Sequence, residues 1–539
     1  MKYTLLLLGA TTLSASLFGG YKTTEPSYLN AVAGADFTFE ALLTTGDRIP
    51  MTGGTPSEEY TMVGIPDAMG IYRDPVTAEP ILFLAHELPS GRTSQPIVGG
   101  DTYIGSLVSR FVLDSTDGSL VSGGLAHQAL YLENAFYSPE PPKQGDSTSF
   151  TRFCSGSFAG PMHGMDRPIF LTNEESSGGT FDAAGSQAVA IFDGEMHTLP
   201  ALGRVVRETT IVQPRRDRYS VVISSEDGGF PSYVYMYVGT KQRSGDALTK
   251  NGFTGGKIYV LGGNGADAGK NASTFTEGSI NARWIEVPNA ANLTDAELKL
   301  AADAAGGFGF VRVEDMEFDP QDPTRRLFVA TTGGYGPNRL GRLYEVSINP
   351  RQPWATGSMD VIYNSDLVVT PGGTMQNAFS GPFYSANGGT EVQPEYVGGD
   401  INSGINYPVS IDNIAVNDNY IVICEDTNSP ANAVYAQYSR NGGVWTLDRN
   451  NGYAAKFQSQ FNLDYAEARD NVSLSAGQWE ASGVIDASAI FGPDTFVINV
   501  QAHGTDRTNA PDGMGGYLTK QQADARFAED GQLLIMRAN

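Results

Sequence analysis

Short groups containing Glu or Asp stand against apolar, strand-like runs at several places in this chain of 539 residues. In chain order they are His86-Glu87, Glu174-Glu175, Glu226-Asp227, Glu314-Asp315-x-Glu317 and Glu425-Asp426. A carboxylate at a strand end has a fixed direction, so several from separate strands can converge on one point and hold hard multivalent cations. The pattern therefore predicts a cation centre built from strand ends.

Cys154 adds a different donor to this set. It lies in the sequence FCSGSFAGP, upstream of Glu174-Glu175, and the small residues around it would let an ion approach closely. A thiolate beside carboxylates indicates a metal centre with oxygen ligands and one sulfur ligand. The alternative is a disulfide with Cys424, the other cysteine of the chain, if the protein is exported. Cys424 itself lies in NYIVICEDT, which is typical of a buried strand.

Arg312 is the basic residue nearest to these acids. Period-two geometry places Arg312 and Glu314 on one face of a strand, so one could hold substrate while the other holds metal. A guanidinium group can bind a phosphoryl group through two parallel hydrogen bonds. The alternative is a salt bridge to Glu314 or Asp315.

The composition is strongly acidic. The chain has 35 Lys and Arg against 60 Asp and Glu, a formal net charge of -25 at pH 7. Such a surface repels nucleic acid and anionic lipid, so neither is an expected partner. A phosphorylated small molecule could bind only where bound cations reverse the local sign.

Strand signals dominate the chain. It has 64 Gly and 29 Pro, and many apolar runs of four to seven residues are separated by Gly, Asn, Asp or Pro. Helix signals are few, at residues 294–305 and 519–528. A last strand at 532–536 could close a ring with the first strand, as in propellers. With no fixed-period repeat and no linker, the pattern predicts one all-β domain, a single large β-propeller with minor helical insertions.

The N-terminus resembles an export signal. Met1-Lys2 precedes an apolar stretch at residues 4–18 that is too short to span a bilayer. Cleavage could follow Ser16 or the triplet Ala31-Val32-Ala33, which gives a signal peptide within residues 1–33 and a folded domain over 34–539. We expect a secreted or periplasmic monomer without a membrane span.

Eight segments in the same order make the chain resemble the PhoX-type alkaline phosphatase family. They are ADFTFEALL, PDAMGIY, ILFLAHE, FCSGSFAGP with PIFLTNEE, GRVVRET, VVISSEDGGFPSYVYMYV, VRVEDMEFDP and SIDNIAV. The resemblance covers residues from about Ala35 to beyond Asp426. It implies a six-bladed propeller with a cluster of Ca²⁺ and iron on its axis, which hydrolyses phosphomonoesters outside the cell.

The resemblance also implies a set of site residues. The metal ligands would be Glu87, Cys154, Glu174, Glu175, Glu208, Glu226, Asp227, Glu314 and Asp412, and the catalytic residues Arg312, Glu314 and Cys154. Members of that family are typically exported folded through the twin-arginine route, and this sequence lacks the arginine pair. Glu480 is placed like a late acid of the family but is not predicted as a ligand.

Three functions are therefore open. The first is a secreted alkaline phosphatase, a metal-dependent enzyme acting on small phosphate esters. The second is a calcium-dependent propeller lactonase or phytase-like hydrolase, for which Cys154 would be dispensable. The third is a non-catalytic calcium-binding surface protein on the same scaffold.

Overall fold

Six β-strands, one from each of six blades, stand side by side in a closed ring. These inner strands are Pro66–Arg73, Phe153–Ala159, Arg207–Val212, Val313–Phe318, Ile411–Val416 and Glu480–Asp486; each contacts the next, and the last contacts the first. Sheets that radiate from such a ring form a β-propeller. The computed structural model describes residues 20–334, 336–369, 375–377, 408–426, 431, 434–435, 441–475, 477–511 and 516–539.

The blades are numbered by the chain order of their inner strands. Outward from the axis, blade 1 continues with Pro80–His86, Leu107–Leu113 and Leu120–Leu125, and blade 2 with Ile169–Glu174, Ala188–Phe192, Glu195–Thr198, Ala129–Leu132 and Ala135–Ser138. Blade 3 continues with Tyr219–Glu226, Val234–Thr240, Lys257–Gly263 and Gly278–Glu286, and blade 4 with Arg326–Thr331, Arg342–Ser347 and Gly357–Asn364. Blade 5 continues with Tyr420–Glu425, Gly443–Asp448, Ala454–Phe461 and Leu29–Ala31, and blade 6 with Thr495–Ala502, Asp530–Ala538 and Phe37–Thr44. The outer strands of blades 3 and 4 pair with each other, so these two blades share one nine-stranded sheet.

Strands from both ends of the chain close the ring. Phe37–Thr44 pairs antiparallel with Asp530–Ala538 in blade 6, and Leu29–Ala31 pairs with Ala454–Phe461 in blade 5. The ring closure expected from the last strand is therefore confirmed. The apolar stretch of the predicted signal, residues 4–18, lies outside the described residues.

The hydrophobic core lies between the blades rather than on the axis. Six buried clusters each take side chains from two neighbouring blades. In Pro80–His86, Ile81, Phe83 and Ala85 face blade 2, whereas Leu82 and Leu84 face blade 6. Alternate side chains of a strand point to opposite faces, so a strand packed on both faces is apolar at nearly every position. The axis is left to polar side chains.

Helices occur only between strands in the described residues. They are Ala247–Lys250, Asp295–Ala305, Leu463–Asp470, Ser488–Phe491 and Lys520–Phe527. Thr294 and Thr519 cap two of them through reciprocal side-chain and backbone hydrogen bonds, at the places the sequence predicts. Short ribbons pair Arg48–Pro50 with Glu59–Thr61, Thr93–Ser94 with Tyr103–Ile104, and Leu367–Val369 with Met375–Asn377. Within the described part of the chain, no helix has the length and apolar character needed to cross a membrane.

Candidate metal centre

Every inner strand is interrupted at the same point near its start. The register with the second strand shifts between Pro66 and Met69, Phe153 and Gly156, Arg207 and Thr210, Val313 and Met316, Ile411 and Ile414, and Ala481 and Val484. A β-bulge of this kind bends the strand and re-aims a side chain. The first residue inside each bulge is Asp67, Cys154, Glu208, Glu314, Asp412 or Ser482.

A second position in each blade adds another polar side chain. In each blade, the residue just before the bulge pairs with a residue of the second strand, and the next residue of that second strand occupies this position. In blades 1 to 6 it is Glu87, Glu175, Asp227, Thr332, Asp426 and Gln501. Two backbone positions repeated around the ring thus supply most of the polar groups at the centre.

Eight of these twelve groups line a cavity of about 370 Å³. Four triads have donor atoms that all lie within 4.8 Å of one another: Asp67, Glu87 and Cys154; Cys154, Glu175 and Glu208; Glu208, Asp227 and Glu314; and Asp412, Asp426 and Glu480. The triads take their members from blades 1 and 2, 2 and 3, 3 and 4, and 5 and 6 respectively. Cys154 and Glu208 each belong to two of them.

The crowding of acids shifts their proton affinity. Burial, followed by the charge of Glu87, raises the pKa of Asp67 to about 8. Burial and then Glu314 raise the pKa of Glu208 and of Asp412 well above the ordinary value. Burial, followed by Asp67, does the same to the pKa of the Cys154 thiol. These shifts favour the protonated forms of the groups, whereas bound cations would favour their ionised forms.

The candidate ligand atoms suit cations both in their chemical type and in their hydrogen bonding. Sγ of Cys154 donates a hydrogen bond to Oδ2 of Asp67 at 3.0 Å. Oδ1 of Asp67 is buried and has no hydrogen-bond partner among the described residues. An oxygen without a hydrogen-bond partner, beside a thiol and Glu87, has the chemistry of a cation ligand.

Arg312 lies within the acidic wall and pairs with several carboxylates. Its Nε donates to Oδ1 of Asp227 at 3.1 Å, its Nη2 lies 3.0 Å from Oε1 of Glu314, and its Nη1 lies 3.7 Å from Oδ2 of Asp426. Burial by itself would lower the pKa of Arg312, but these acids raise it well above its ordinary value. The salt-bridge alternative considered for Arg312 is therefore the arrangement observed.

The second residues of several bulges are hydrogen-bonded to other blades across the ring, and this set is called the polar floor. Oδ1 of Asp315 accepts a hydrogen bond from Oγ1 of Thr209 at 2.9 Å, and its Oδ2 accepts one from the backbone of Ile414 at 3.0 Å. Ser155 and Asn413 form a second connection across the ring. This polar floor links blades 2 to 5.

Other side chains orient the candidate ligands. Nε2 of Gln501 lies 3.2 Å from Oδ2 of Asp67 and 3.0 Å from Oε2 of Glu87, and Oγ1 of Thr332 donates to Oε1 of Glu314. On the cavity wall, Nδ1 of His503 lies 2.6 Å from Oε2 of Glu529. Such contacts fix the direction of a donor before an ion arrives.

Most of the predicted site residues are brought together. Glu87, Cys154, Glu175, Glu208, Asp227, Arg312, Glu314 and Asp412 all line the cavity.

Glu174 and Glu226, also predicted as ligands, do not line it. Oε1 and Oε2 of Glu174 accept from the backbone of Thr151 at 3.3 Å and of Gln187 at 3.1 Å. Glu226 pairs with Lys299 at 2.6 Å. Each is the last residue of its strand, so it points to the opposite face from the residue that follows it. Their surroundings give no support to a ligand role.

The predicted ligand set omits Asp67, Asp426 and Glu480, although Glu425-Asp426 is one of the acidic groups from which the sequence predicts a cation centre. Asp426 carried the right signal, because it follows a strand as Asp227 does. Asp67 lies inside the motif PDAMGIY without a second acid, so a search for acidic pairs passes over it.

The disulfide alternative is wrong for this structure, because both cysteines are free. Cys424 is buried in the apolar cluster between blades 5 and 6, with none of its side chain exposed.

Comparison with known proteins supports the architecture. Neither a protein-family profile nor a curated protein matches the sequence. Among solved structures, the chain is similar to Pseudomonas fluorescens PhoX in complex with vanadate, a transition state analogue. The TM-score is 0.58 and the identity 14%, over 97% of this chain and 98% of that one. At this identity the likeness shows the fold alone, and the predicted fold class, an all-β propeller with minor helical insertions, is confirmed.

Proposed function

We propose that this protein is a metal-dependent phosphomonoesterase whose cations are held at the centre of the propeller. The observation that carries the proposal is the set of four triads around one cavity, two of which share the Cys154 thiol. The similarity to PhoX, whose solved complex contains vanadate, an analogue of a phosphoryl transition state, supports the same chemistry.

The donor types favour two kinds of ion. Carboxylate oxygens alone, as in the triad of Asp412, Asp426 and Glu480, suit Ca²⁺. A thiolate shared between two triads suits a softer transition metal such as iron. We therefore assign iron to the triads that contain Cys154 and Ca²⁺ to the all-oxygen triads.

The chain offers little positive charge of its own to a phosphate dianion. Bound cations would neutralise the phosphoryl oxygens and lower the pKa of a bound water. The protein's part is to hold the donors: Gln501 fixes Asp67 and Glu87, and Arg312 fixes Asp227 and Glu314. Glu314 and Cys154 keep their proposed roles as metal ligands, and Arg312, which contacts three carboxylates, acts as a positioning residue for the wall beside the substrate.

The first test is activity with metal control. Purified protein should hydrolyse p-nitrophenyl phosphate at alkaline pH, lose that activity in chelator, and regain it with Ca²⁺ and iron together. Elemental analysis should find both metals. A protein reconstituted with both metals that releases no phosphate from any monoester tried would exclude the proposal.

The two cysteines provide a matched pair for the second test. Cys154→Ser should lose iron and most activity, whereas Cys424→Ser should retain both, because Cys424 is packed between blades 5 and 6. Full activity with Ca²⁺ alone in Cys154→Ser would favour the lactonase or phytase-like class. Calcium-dependent thermal stability without ester hydrolysis would favour a binding protein.

Export remains part of the proposal. A secreted or periplasmic location would supply Ca²⁺ and small phosphate esters, and a monomer with a central cavity needs no partner chain. Fractionation of cells that express the full sequence, with N-terminal sequencing of the mature protein, tests this directly.

A further inference from the structure

Arg152 occupies in blade 2 the position that Arg312 occupies in blade 4. Each lies two residues before the bulge residue of its inner strand, and each has a left-handed backbone, with φ of 42° and 45°. Ile65 and Ser410 have the same conformation at this position of blades 1 and 5, so it is a repeated feature of the inner strands. The side chains of Arg152 and Arg312 both line the cavity.

The two guanidinium groups differ in how many carboxylates they contact and in how much of the side chain is exposed. Arg312 contacts three carboxylates, and 21% of its side chain is exposed. Nε of Arg152 donates to the backbone oxygen of Glu175 at 3.1 Å and lies 3.8 Å from its carboxylate, and 45% of its side chain is exposed. Arg152 therefore has donor capacity left for a ligand.

Arg152 also stands beside the sulfur-containing triads. The groups whose charge acts most strongly on its guanidinium are Glu175, Glu87, Cys154 and Glu208, which are members of the two triads that share Cys154. Arg312 instead responds to Asp227, Glu314, Asp426 and Asp412. Among the described residues lining the cavity, the third that can carry positive charge is His503, which is paired with Glu529.

We propose that Arg152 is the residue that binds the phosphoryl oxygens of the substrate, and that it makes the site prefer a doubly charged monoester to a singly charged diester. This inference rests on the proposed function. A planar guanidinium with free N–H groups suits an oxyanion, and Arg152 lines the cavity without belonging to any triad. It replaces the sequence-based assignment of phosphate binding to Arg312.

Binding of inorganic phosphate to metal-loaded protein gives the first test, by titration calorimetry. Arg152→Gln should weaken phosphate binding about 10- to 100-fold, the range for a charge-assisted hydrogen bond, and Arg152→Lys should weaken it less. Arg48→Gln is the matched control, because Arg48 is partly exposed on a ribbon outside the cavity. Metal content and thermal unfolding should match wild type in all three variants.

Hydrolysis gives the second test. For p-nitrophenyl phosphate, Arg152→Gln should raise KM more than it lowers kcat, and it should leave kcat/KM for bis(p-nitrophenyl) phosphate within about threefold. Equal losses on both esters would overturn the specificity claim. Unchanged phosphate binding in Arg152→Gln, or no phosphate binding by wild type, would overturn the inference. If wild type binds phosphate through Arg152 but hydrolyses nothing, the phosphate-binding role of Arg152 stands, whereas the monoester preference and the proposed function both fail.

Discussion

Nδ2 of Asn413 donates a hydrogen bond to Oγ of Ser155 at 2.9 Å, which joins blade 5 to blade 2 across the axis. Oγ of Ser155 in turn donates to Oε1 of Glu208 at 2.9 Å. Both Asn413 and Ser155 are the second residue of a bulge, directly after Asp412 and Cys154. The chain of bonds thus fixes the orientation of a carboxylate that belongs to two triads.

Ser155→Ala should weaken metal binding without unfolding the protein, because Glu208 loses the hydroxyl that orients it. Loss of such a supporting contact typically lowers metal affinity about 10- to 100-fold. Ser157→Ala is the control, since Oγ of Ser157 donates to the backbone oxygen of Thr210 instead. Retained metals should be counted after dialysis against a metal buffer. Equal retention in the two variants would show that the Ser155 contact does not support the centre.

Glu175→Gln should remove bound metal, whereas Glu174→Gln should not. Glu175 belongs to a triad, but Glu174 accepts backbone hydrogen bonds away from the cavity. The cost of Glu174→Gln should appear instead in the free energy of unfolding, at about 1–3 kcal/mol. Elemental analysis and urea unfolding of both variants measure the two effects. Metal loss in Glu174→Gln alone would reverse the assignment.

A chain that starts at residue 34 should be less stable than one that starts at Gly20. Tyr28 and Leu29 are buried, and the hydroxyl of Tyr28 bonds to Asp530 at 2.6 Å. Loss of these two buried side chains and of the strand Leu29–Ala31 should lower the free energy of unfolding by at least about 3 kcal/mol. If the predicted export signal is cleaved, we therefore expect the cut before Tyr21, as after Ser16, rather than after Ala33. Equal urea midpoints for the two chains would contradict this.

His127→Phe should lose less stability than wild type when the pH falls to mildly acidic values. His127 is 2% exposed and both ring nitrogens lack hydrogen-bond partners among the described residues; burial lowers its pKa to about 4. The His127 imidazole takes up a proton near pH 6.5 in the unfolded chain but only near pH 4 in the folded chain. As far as His127 is concerned, the fold therefore keeps its full stability above pH 6.5 and loses stability as the pH falls towards 4.

Between pH 7 and pH 5 the wild type should lose about 2 kcal/mol more than His127→Phe. The difference between the two proteins isolates His127, because both contain the same acids. Urea unfolding at the two pH values measures it. Parallel pH profiles would show that His127 is protonated in the fold.

The fold class could be predicted because the strands that are packed on both faces leave apolar runs in the sequence. Blade 1 shows this in ILFLAH, where every residue is buried. Ring closure followed from an apolar last strand. The blade repeat was not visible, because the blades share a backbone irregularity and not a side-chain type.

The same irregularity limits what the sequence says about the site. Asp67, Cys154 and Ser482 are equivalent in the fold but have no chemistry in common that a pattern could detect. Within an acidic pair, the face of the strand decides which member reaches the axis. Glu175 reaches it and Glu174 does not, and that choice depends on strand register, which the pair itself does not encode.

All six junctions between neighbouring blades are bridged at the centre. The four triads span four junctions; Gln501 links blade 6 to blade 1, and the pair of Arg312 with Asp426 links blade 4 to blade 5. Ions bound in the triads would cross-link neighbouring blades at the centre, while the paired strands from the two ends of the chain hold the outer part of the ring. The free cation concentration would then enter the folding equilibrium itself. Such a protein would be most stable where its ions are abundant and would lose stability where they are scarce.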